Sequence, residues 1–292
     1  MAGEAPEPRE AQPLSEPTAA LQPLPHVWRT IFLRLLMCLS IALTFGSEVA
    51  LAQETSVEAP VVTPYRPSVS TPAALSAPGW LEIEAGWFSA NGGALPRREA
   101  LPYTFKLAFT PDWGIRVDGE AVVLVPDQEG QTVAGFGDTT FVLKRRFAVD
   151  DRSAFGLELQ VGTVTAEPPF RSSSGRTDYT VNGIYSVDIG DAYHADFNYS
   201  LTRLGAVGPA EGRDQKLWAA ALSRTLGTRW GIMGEISGTD QTGVARTRQF
   251  LLAASFTSKR SVSWDFGVAR GMTAASPAWT LFAGVTTFFR LF

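Results

Sequence analysis

The sequence predicts an all-β protein: a transmembrane, antiparallel, up-and-down β-barrel of about 12 strands. Three observations favour this fold. From Trp80 to Phe292, successive segments alternate apolar with polar residues, as half-buried strands do. The connections between these segments alternate between long polar loops and tight turns. A secretion signal precedes the run, so the pattern is typical of a barrel in a bacterial outer membrane.

The N-terminal region, residues 1–52, is predicted to be an extension followed by a secretory signal peptide. Arg29 and Arg34 precede the apolar stretch Leu35–Phe45, and Ala50 and Ala52 supply small residues for cleavage. The apolar stretch is too short for a transmembrane helix. The only cysteine, Cys38, lies here, so the mature chain should contain no disulfide, thiolate zinc site or cysteine nucleophile.

Residues 53–78 are predicted to form a disordered linker. Proline recurs among serine, threonine, alanine and valine, a composition that favours an extended and poorly packed chain. Such a segment could be a simple lead-in or a periplasmic tether. The prolines are Pro60, Pro64, Pro67, Pro72 and Pro78.

The barrel is predicted to span residues 79–292, and its orientation follows from the connections. Short turns are expected after every second strand, which places both termini at the short-turn end and that end in the periplasm. A soluble β-sandwich would also alternate apolar and polar residues, but not with this regular alternation of loop lengths. The longer loops are predicted near 89–98, 126–135, 165–176, 204–213, 238–246 and 271–277.

The expected surroundings are outer-membrane lipid and lipopolysaccharide. The chain ends in Phe292, which resembles the C-terminal aromatic signal recognised by barrel-assembly machinery, a second expected partner. Net charge is −4 and basic residues form no patch, so a nucleic-acid partner is not expected.

One strand carries a family resemblance. The run Gly135-Phe136-Gly137-Asp138, continued by Leu143-Lys144, resembles a segment of the outer-membrane family named for the phenol-degradation meta-cleavage pathway. The layout of signal, proline-rich lead and alternating strands is similar too. The resemblance implies a transporter-like barrel that passes small molecules, often aromatic or apolar. From the residues themselves, Gly135 and Gly137 should let the chain turn sharply from an external loop into a strand.

Charged residues on the predicted inward faces are the candidate site. They could line a narrow pore and set solute preference, or they could fill the lumen with ion pairs. Arg116, Lys144 and Arg146 opposite Glu120 and Glu158 form the predicted constriction. The pore-lining candidates are Lys106, Arg116, Asp118, Glu120, Lys144, Arg146, Glu158, His194 and Asp196.

A catalytic role is a further hypothesis, because His194 and Asp196 share one face of a predicted strand. The sequence places His194 just after a short turn, far from the outer leaflet, and no serine is in register with it. No catalytic residue, metal site or cofactor is therefore predicted. The leading hypothesis is passive passage of small molecules across the outer membrane. The alternative is a non-conducting structural or surface-binding barrel that acts through its external loops.

Overall fold

The computed structural model describes residues 60–93 and 96–292. The predicted signal peptide and residues 53–59 of the predicted linker lie outside the described residues. Within the described ranges, no helix is long and apolar enough to cross a membrane. The strands are β1 (Trp80–Asn91), β2 (Arg98–Ala108), β3 (Trp113–Pro126), β4 (Thr132–Gly135), β5 (Thr139–Ala148), β6 (Ser153–Thr163), β7 (Asp178–Ile189), β8 (Tyr193–Arg203), β9 (Asp214–Leu226), β10 (Trp230–Gln241), β11 (Val244–Lys259), β12 (Val262–Gly271) and β13 (Trp279–Arg290).

These strands form one closed antiparallel barrel, which confirms the predicted fold. Apart from β4, the strands pair in chain order, and β1 closes on β13 from Trp80↔Arg290 to Asn91↔Trp279. The short β4 pairs with the last residues of β3, and β5 pairs with the first residues of β3. These two strands therefore share one position, and the wall is twelve strands around.

The two ends of the barrel differ as the alternation of connections predicts. The short-turn end carries the connections 109–112, 149–152, 190–192, 227–229 and 260–261, together with the first residue of β1 and the last residue of β13. The opposite end, called here the long-loop end, carries the loops 92–97, 164–177, 204–213 and 272–278.

Two of the predicted long loops are wrong. The region 238–246 is a hairpin in which β10 and β11 extend to a two-residue connection, Thr242 and Gly243, and Gly243 has φ of 78°. Glycine tolerates positive φ, which tight hairpin turns require. The region 126–135 likewise contains β4 and a turn in which the Asp127 carboxylate accepts the N–H groups of Glu129 and Gln131. A polar composition suits either a long loop or a hairpin tip, so composition alone does not distinguish the two.

The outer face of the wall is apolar. Large apolar side chains in mid-strand are exposed on it, and aromatic residues gather at both ends, as a lipid-facing barrel requires. Arg145 also points outward, where its guanidinium lies 4.9 Å from the ring of Trp113 and 4.6 Å from that of Phe147. The exposed mid-strand residues include Phe141, Leu159, Val181, Phe197, Leu201, Leu222, Ile232, Leu252, Phe266 and Leu281.

Candidate functional site

The buried interior of the barrel is polar. All nine predicted pore-lining residues lie on inward-facing positions of their strands, in register with other buried polar residues. Their role in a pore remains a prediction. Other buried polar residues of the wall include Glu82, Glu84, Asp178, Asn182, Ser186, Asn198, Glu235 and Asp265.

One charged cluster lies near the start of β1. The Nζ atom of Lys106 is 2.7 Å from Glu82 Oε2 and 2.6 Å from Glu84 Oε1. Glu82 and Glu84 are two residues apart on one strand, so both face inward, and Lys106 is directly across on β2. All three side chains are buried, so each charge depends on the others and on hydrogen bonds for compensation.

A second cluster surrounds Glu158 at mid-height. Its carboxylate is 2.9 Å from Arg116 Nη1 and 3.3 Å from Lys144 Nζ, and it accepts a hydrogen bond of 3.0 Å from the Asn182 amide. Arg116 also binds Asp118 at 2.8 Å. The structure therefore brings together three members of the predicted constriction.

The other two members of that constriction lie elsewhere. Towards the long-loop end, the Glu120 carboxylate accepts hydrogen bonds from Nη1 and Nη2 of Arg98, each at 2.7 Å. Arg146 is near the short-turn rim, 3.8 Å from Asp112. The five residues expected to form one ring thus lie at three levels of the barrel. Their relative heights depend on the register between strands, which alternation within one strand does not specify.

His194 lies between two carboxylates near the short-turn end. Its Nδ1 is 2.6 Å from Asp188 and its Nε2 is 3.0 Å from Asp196. The Ser223 hydroxyl donates to the His194 carbonyl oxygen rather than to the ring. Within the described ranges, no group of His, Cys, Asp and Glu side chains could hold a metal ion.

The prediction of a disordered linker is wrong for residues 60–78. This stretch, called here the lumen segment (residues 60–79), lies inside the barrel. It enters at the short-turn end, where the Val62 N–H donates to the Arg260 carbonyl, and returns there, where the Gly79 N–H donates to the Ala108 carbonyl. Composition alone indicates disorder. Hydrogen bonds to buried carboxylates and lysines of the wall offset the conformational entropy that this segment loses when it is ordered.

The backbone of the lumen segment is bound by wall side chains. Glu82 accepts the Thr63 N–H at 2.8 Å, and Glu84 accepts the Tyr65 N–H at 2.9 Å. Further along, Glu235 accepts the N–H groups of Val69 and Ser70 and the hydroxyl of Ser68. Buried polar groups need hydrogen-bond partners. The lumen segment supplies donors to the buried carboxylates of the wall, and these carboxylates supply acceptors to the backbone of the segment.

Tyr65 is the largest buried side chain of the lumen segment. Three cations surround its ring: Lys106 Nζ at 3.9 Å, Lys144 Nζ at 4.6 Å and the Arg116 guanidinium carbon at 5.7 Å from the centroid. Its hydroxyl donates to the Ala74 carbonyl at 2.7 Å and accepts from Lys144 at 3.1 Å. Cation–π contacts strengthen when desolvated, so this ring links both charged clusters.

Arg66 occupies a shelf made by two glycines. A Cβ atom on Gly86 would lie 2.3 Å from Arg66 Nη2, and one on Gly284 would lie 2.7 Å from Arg66 Nε. Only residues without a side chain leave this space. Asp265 faces the guanidinium at 3.8 Å, yet Arg66 Nε and both carboxylate oxygens of Asp265 are buried without a hydrogen-bond partner.

The barrel interior contains a cavity towards each end. The larger, called here the vestibule, opens at the long-loop end, has a volume of about 690 Å³ and is lined by threonine, serine and glutamine with Asp138, Asp178 and Glu211. The smaller, about 340 Å³, lies beside the lumen segment at the short-turn end and includes His194 and Asp196 in its lining.

The Gly135–Asp138 motif anchors the loop 164–177 over the vestibule. A Cβ on Gly135 would lie 2.2 Å from the Phe170 ring, and one on Gly137 would lie 2.3 Å from Glu120. Neither glycine has positive φ, so close approach, and not the predicted sharp turn, explains them. The Asp138 carboxylate accepts backbone N–H groups from Thr165, Ala166, Ser172 and Ser173.

These hydrogen bonds set the ionisation of Asp138. Burial alone would raise the pKa of its carboxyl. The N–H groups of Ser173, Ala166 and Ser172 outweigh burial and hold the pKa below its ordinary value. The ionised carboxylate is therefore the form of Asp138 that binds the loop backbone.

Comparison with known proteins places the fold among outer-membrane barrels. The COG4313 outer membrane channel from Pseudomonas putida F1 aligns with TM-score 0.57 and 10% identity, over 78% of this chain and 100% of that chain. The KdgM porin aligns with TM-score 0.51 and 10% identity (71% and 99% covered), and the NanC porin with TM-score 0.51 and 7% identity (71% and 98%). No family model and no curated protein sequence matches the chain. The chain is thus a closed twelve-strand antiparallel barrel like those of outer-membrane porins.

Proposed function

We propose that this protein is an outer-membrane channel for the passive passage of small molecules. The observation that carries the proposal is the pairing of an apolar outer wall with a polar interior that holds a cavity at each end. An apolar band suits lipid, and a polar lumen suits hydrated solutes. A barrel of this size lies between the filled eight-strand barrels and the open porins, so its path is narrow.

The vestibule favours neutral or cationic solutes. Its lining contains three carboxylates, Asp138, Asp178 and Glu211, and none of the described residues that line it is lysine or arginine. Charged rings of one sign select ions of the other. Small hydrophilic molecules fit this lining better than the aromatic or apolar compounds that the family resemblance implies.

Planar-bilayer recording of the purified full-length barrel tests this proposal. Cation-selective current is expected in a salt gradient, and Glu211→Lys should shift the reversal potential towards anions. Glu129→Lys is the matched control, because Glu129 is exposed in the β3–β4 turn and does not line the vestibule. Current without cation preference, or an equal shift in both variants, would contradict the solute class proposed.

Kinship with the phenol-pathway family is a second part of the proposal. It is supported by the physical role of the Gly135–Asp138 motif, in which two glycines and one carboxylate hold a loop over the vestibule. Superposition on solved members provides the check. Their motif aspartate should cap the corresponding loop, and a motif placed elsewhere on the barrel would count against kinship.

One observation favours the alternative, a non-conducting barrel that acts through its loops. The lumen segment and the Glu158 cluster lie between the two cavities. If neither the full-length barrel nor a variant with residues 63–73 replaced by glycine and serine carries current, the channel proposal fails and the alternative is favoured.

A further inference from the structure

The lumen wall recognises the main chain of its occupant. Seven backbone N–H groups of the lumen segment donate to wall side chains, and three of its carbonyls accept from them. Main-chain groups are the same in every peptide, so these contacts confer affinity for an extended chain of many sequences. The wall residues involved are Glu82, Glu84, Lys106, Lys144, Ser186, Asn198 and Glu235.

Glu235 shows that this wall is built for an occupant. Glu235 is 1% exposed. Among the described residues, its hydrogen-bond partners are Ser68, Val69 and Ser70, all in the lumen segment. A buried carboxylate needs donors to offset the loss of hydration. Without the segment, this charge would require water or another ligand with N–H and O–H donors.

Two side-chain sockets add specificity. The first takes the Tyr65 ring among Lys106, Lys144 and Arg116, and the second takes the Arg66 guanidinium over Gly86 and Gly284. Asp265 is 1% exposed and faces the second socket 3.8 Å from Arg66, with neither carboxylate oxygen in a hydrogen bond. A basic group placed within hydrogen-bond distance of Asp265 would interact with it more strongly than Arg66 does. The second socket can therefore bind a ligand better than it binds the lumen segment.

We propose that the inward wall is a peptide-binding site, occupied in cis by residues 63–73, that also takes short extended peptides carrying an aromatic residue followed by a basic one. Such peptides compete with the lumen segment. The inference deepens the proposed channel, since it names a class of ligand for the same lumen. Recognition itself requires no current through the barrel.

The test is binding of a labelled synthetic peptide with the sequence of residues 60–76 to barrel in detergent, followed by fluorescence anisotropy. A variant with residues 63–73 replaced by glycine and serine should bind this peptide at least about tenfold more tightly than the full-length barrel, whose site is filled in most molecules. Peptides with the Tyr65 or Arg66 position changed to alanine, and barrel carrying Glu235→Gln, should bind more weakly. A folded variant barrel that binds a scrambled peptide equally well, or binds neither, would overturn the proposal.

A lock on the full chain keeps the test independent of that variant's folding. The Asn198 amide is 2.8 Å from the Ser70 hydroxyl, so these neighbouring positions are the pair to change to cysteine, Ser70→Cys with Asn198→Cys, in order to link segment to wall. Oxidised barrel should exclude the peptide and reduced barrel should admit it, with the single changes as controls. Equal binding in both redox states would contradict competition. Peptide binding without any current would refute the channel alone, and current without peptide binding would refute the peptide site alone.

Discussion

The two halves of the lumen are organised in opposite ways. In the short-turn half, charged wall residues bind the main chain of the lumen segment, and the space is largely filled. In the long-loop half, the wall residues are mostly uncharged, and the carboxylates of Asp138 and Asp178 bind loop backbone instead. The cavity there remains about 690 Å³. In both halves, buried carboxylates accept backbone N–H groups. In the short-turn half they hold the lumen segment, which fills the space, and in the long-loop half they hold the loops that border the vestibule.

The largest effect is expected for Glu158→Ala, which removes the anion at the boundary between the halves. Arg116 and Lys144 would remain buried without it, and breaking a buried ion pair costs about 3–5 kcal/mol. Urea unfolding in detergent, followed by gel mobility, measures the loss. An unfolding free energy unchanged within error would show that water compensates these cations.

Tyr65→Ala should follow, because it empties the socket that joins the charged clusters. Removal of a large buried side chain costs about 3–5 kcal/mol, expressed here as release of the lumen segment. Limited proteolysis should cut residues 60–79 faster, and bilayer current should rise. Tyr65→Phe is the matched control and should lose only about 1 kcal/mol per hydroxyl hydrogen bond. Equal protease protection in the alanine variant would show that the backbone contacts suffice.

Asp138→Asn tests the long-loop half alone. The asparagine keeps one acceptor oxygen, so two of the four N–H groups lose their acceptor; this should cost about 1–3 kcal/mol and expose the loop 164–177 to protease, with residues 60–79 still protected. Since the folded-state pKa is lowered, this stabilisation is present above the ordinary aspartate pKa and is lost as the pH falls through the folded value. Acid should therefore open the loop of the wild type but change little in the variant. Simultaneous opening of both regions would refute their independence.

The smallest effect is expected for Asp214→Asn. Its partner Arg203 lies 2.8 Å away, but both side chains are exposed, so the pair is worth less than about 1 kcal/mol. Unfolding and current should both match the wild type. A large loss would mean that outer-wall pairs contribute to the barrel as strongly as lumen pairs.

The wall could be predicted from sequence because its information is local. Period-2 alternation correctly places Glu82, Glu84, Lys106 and Glu158 inside without reference to any other strand. Heights around the barrel could not be predicted, since they depend on register. The β-bulge between β2 and β3 shows the same limit: it changes the facing of the residues that follow, so Val123 is buried although simple alternation from Ile115 turns it outward.

The lumen segment could not be predicted for a different reason. Its proline-rich composition lacks the apolar content that supports folding, and its partners lie as far as 217 residues away, as in the contact of Arg66 with the Ala283 carbonyl. Tyr65 and Arg66, which occupy the two sockets, carry no local signal that distinguishes them from linker residues. Carboxylates outnumber lysine and arginine on the predicted inward faces. This excess was the available indication that the lumen binds a group with hydrogen-bond donors.

The return of the lumen segment to the end where it enters has a topological consequence. Val62 lies beside Arg260, and Gly79 lies beside Ala108, both at the short-turn end. Residues 60–79 therefore form a loop that enters and leaves the barrel at the same end. It can be inserted or withdrawn after β1 has joined β13, without breaking a single hydrogen bond between wall strands.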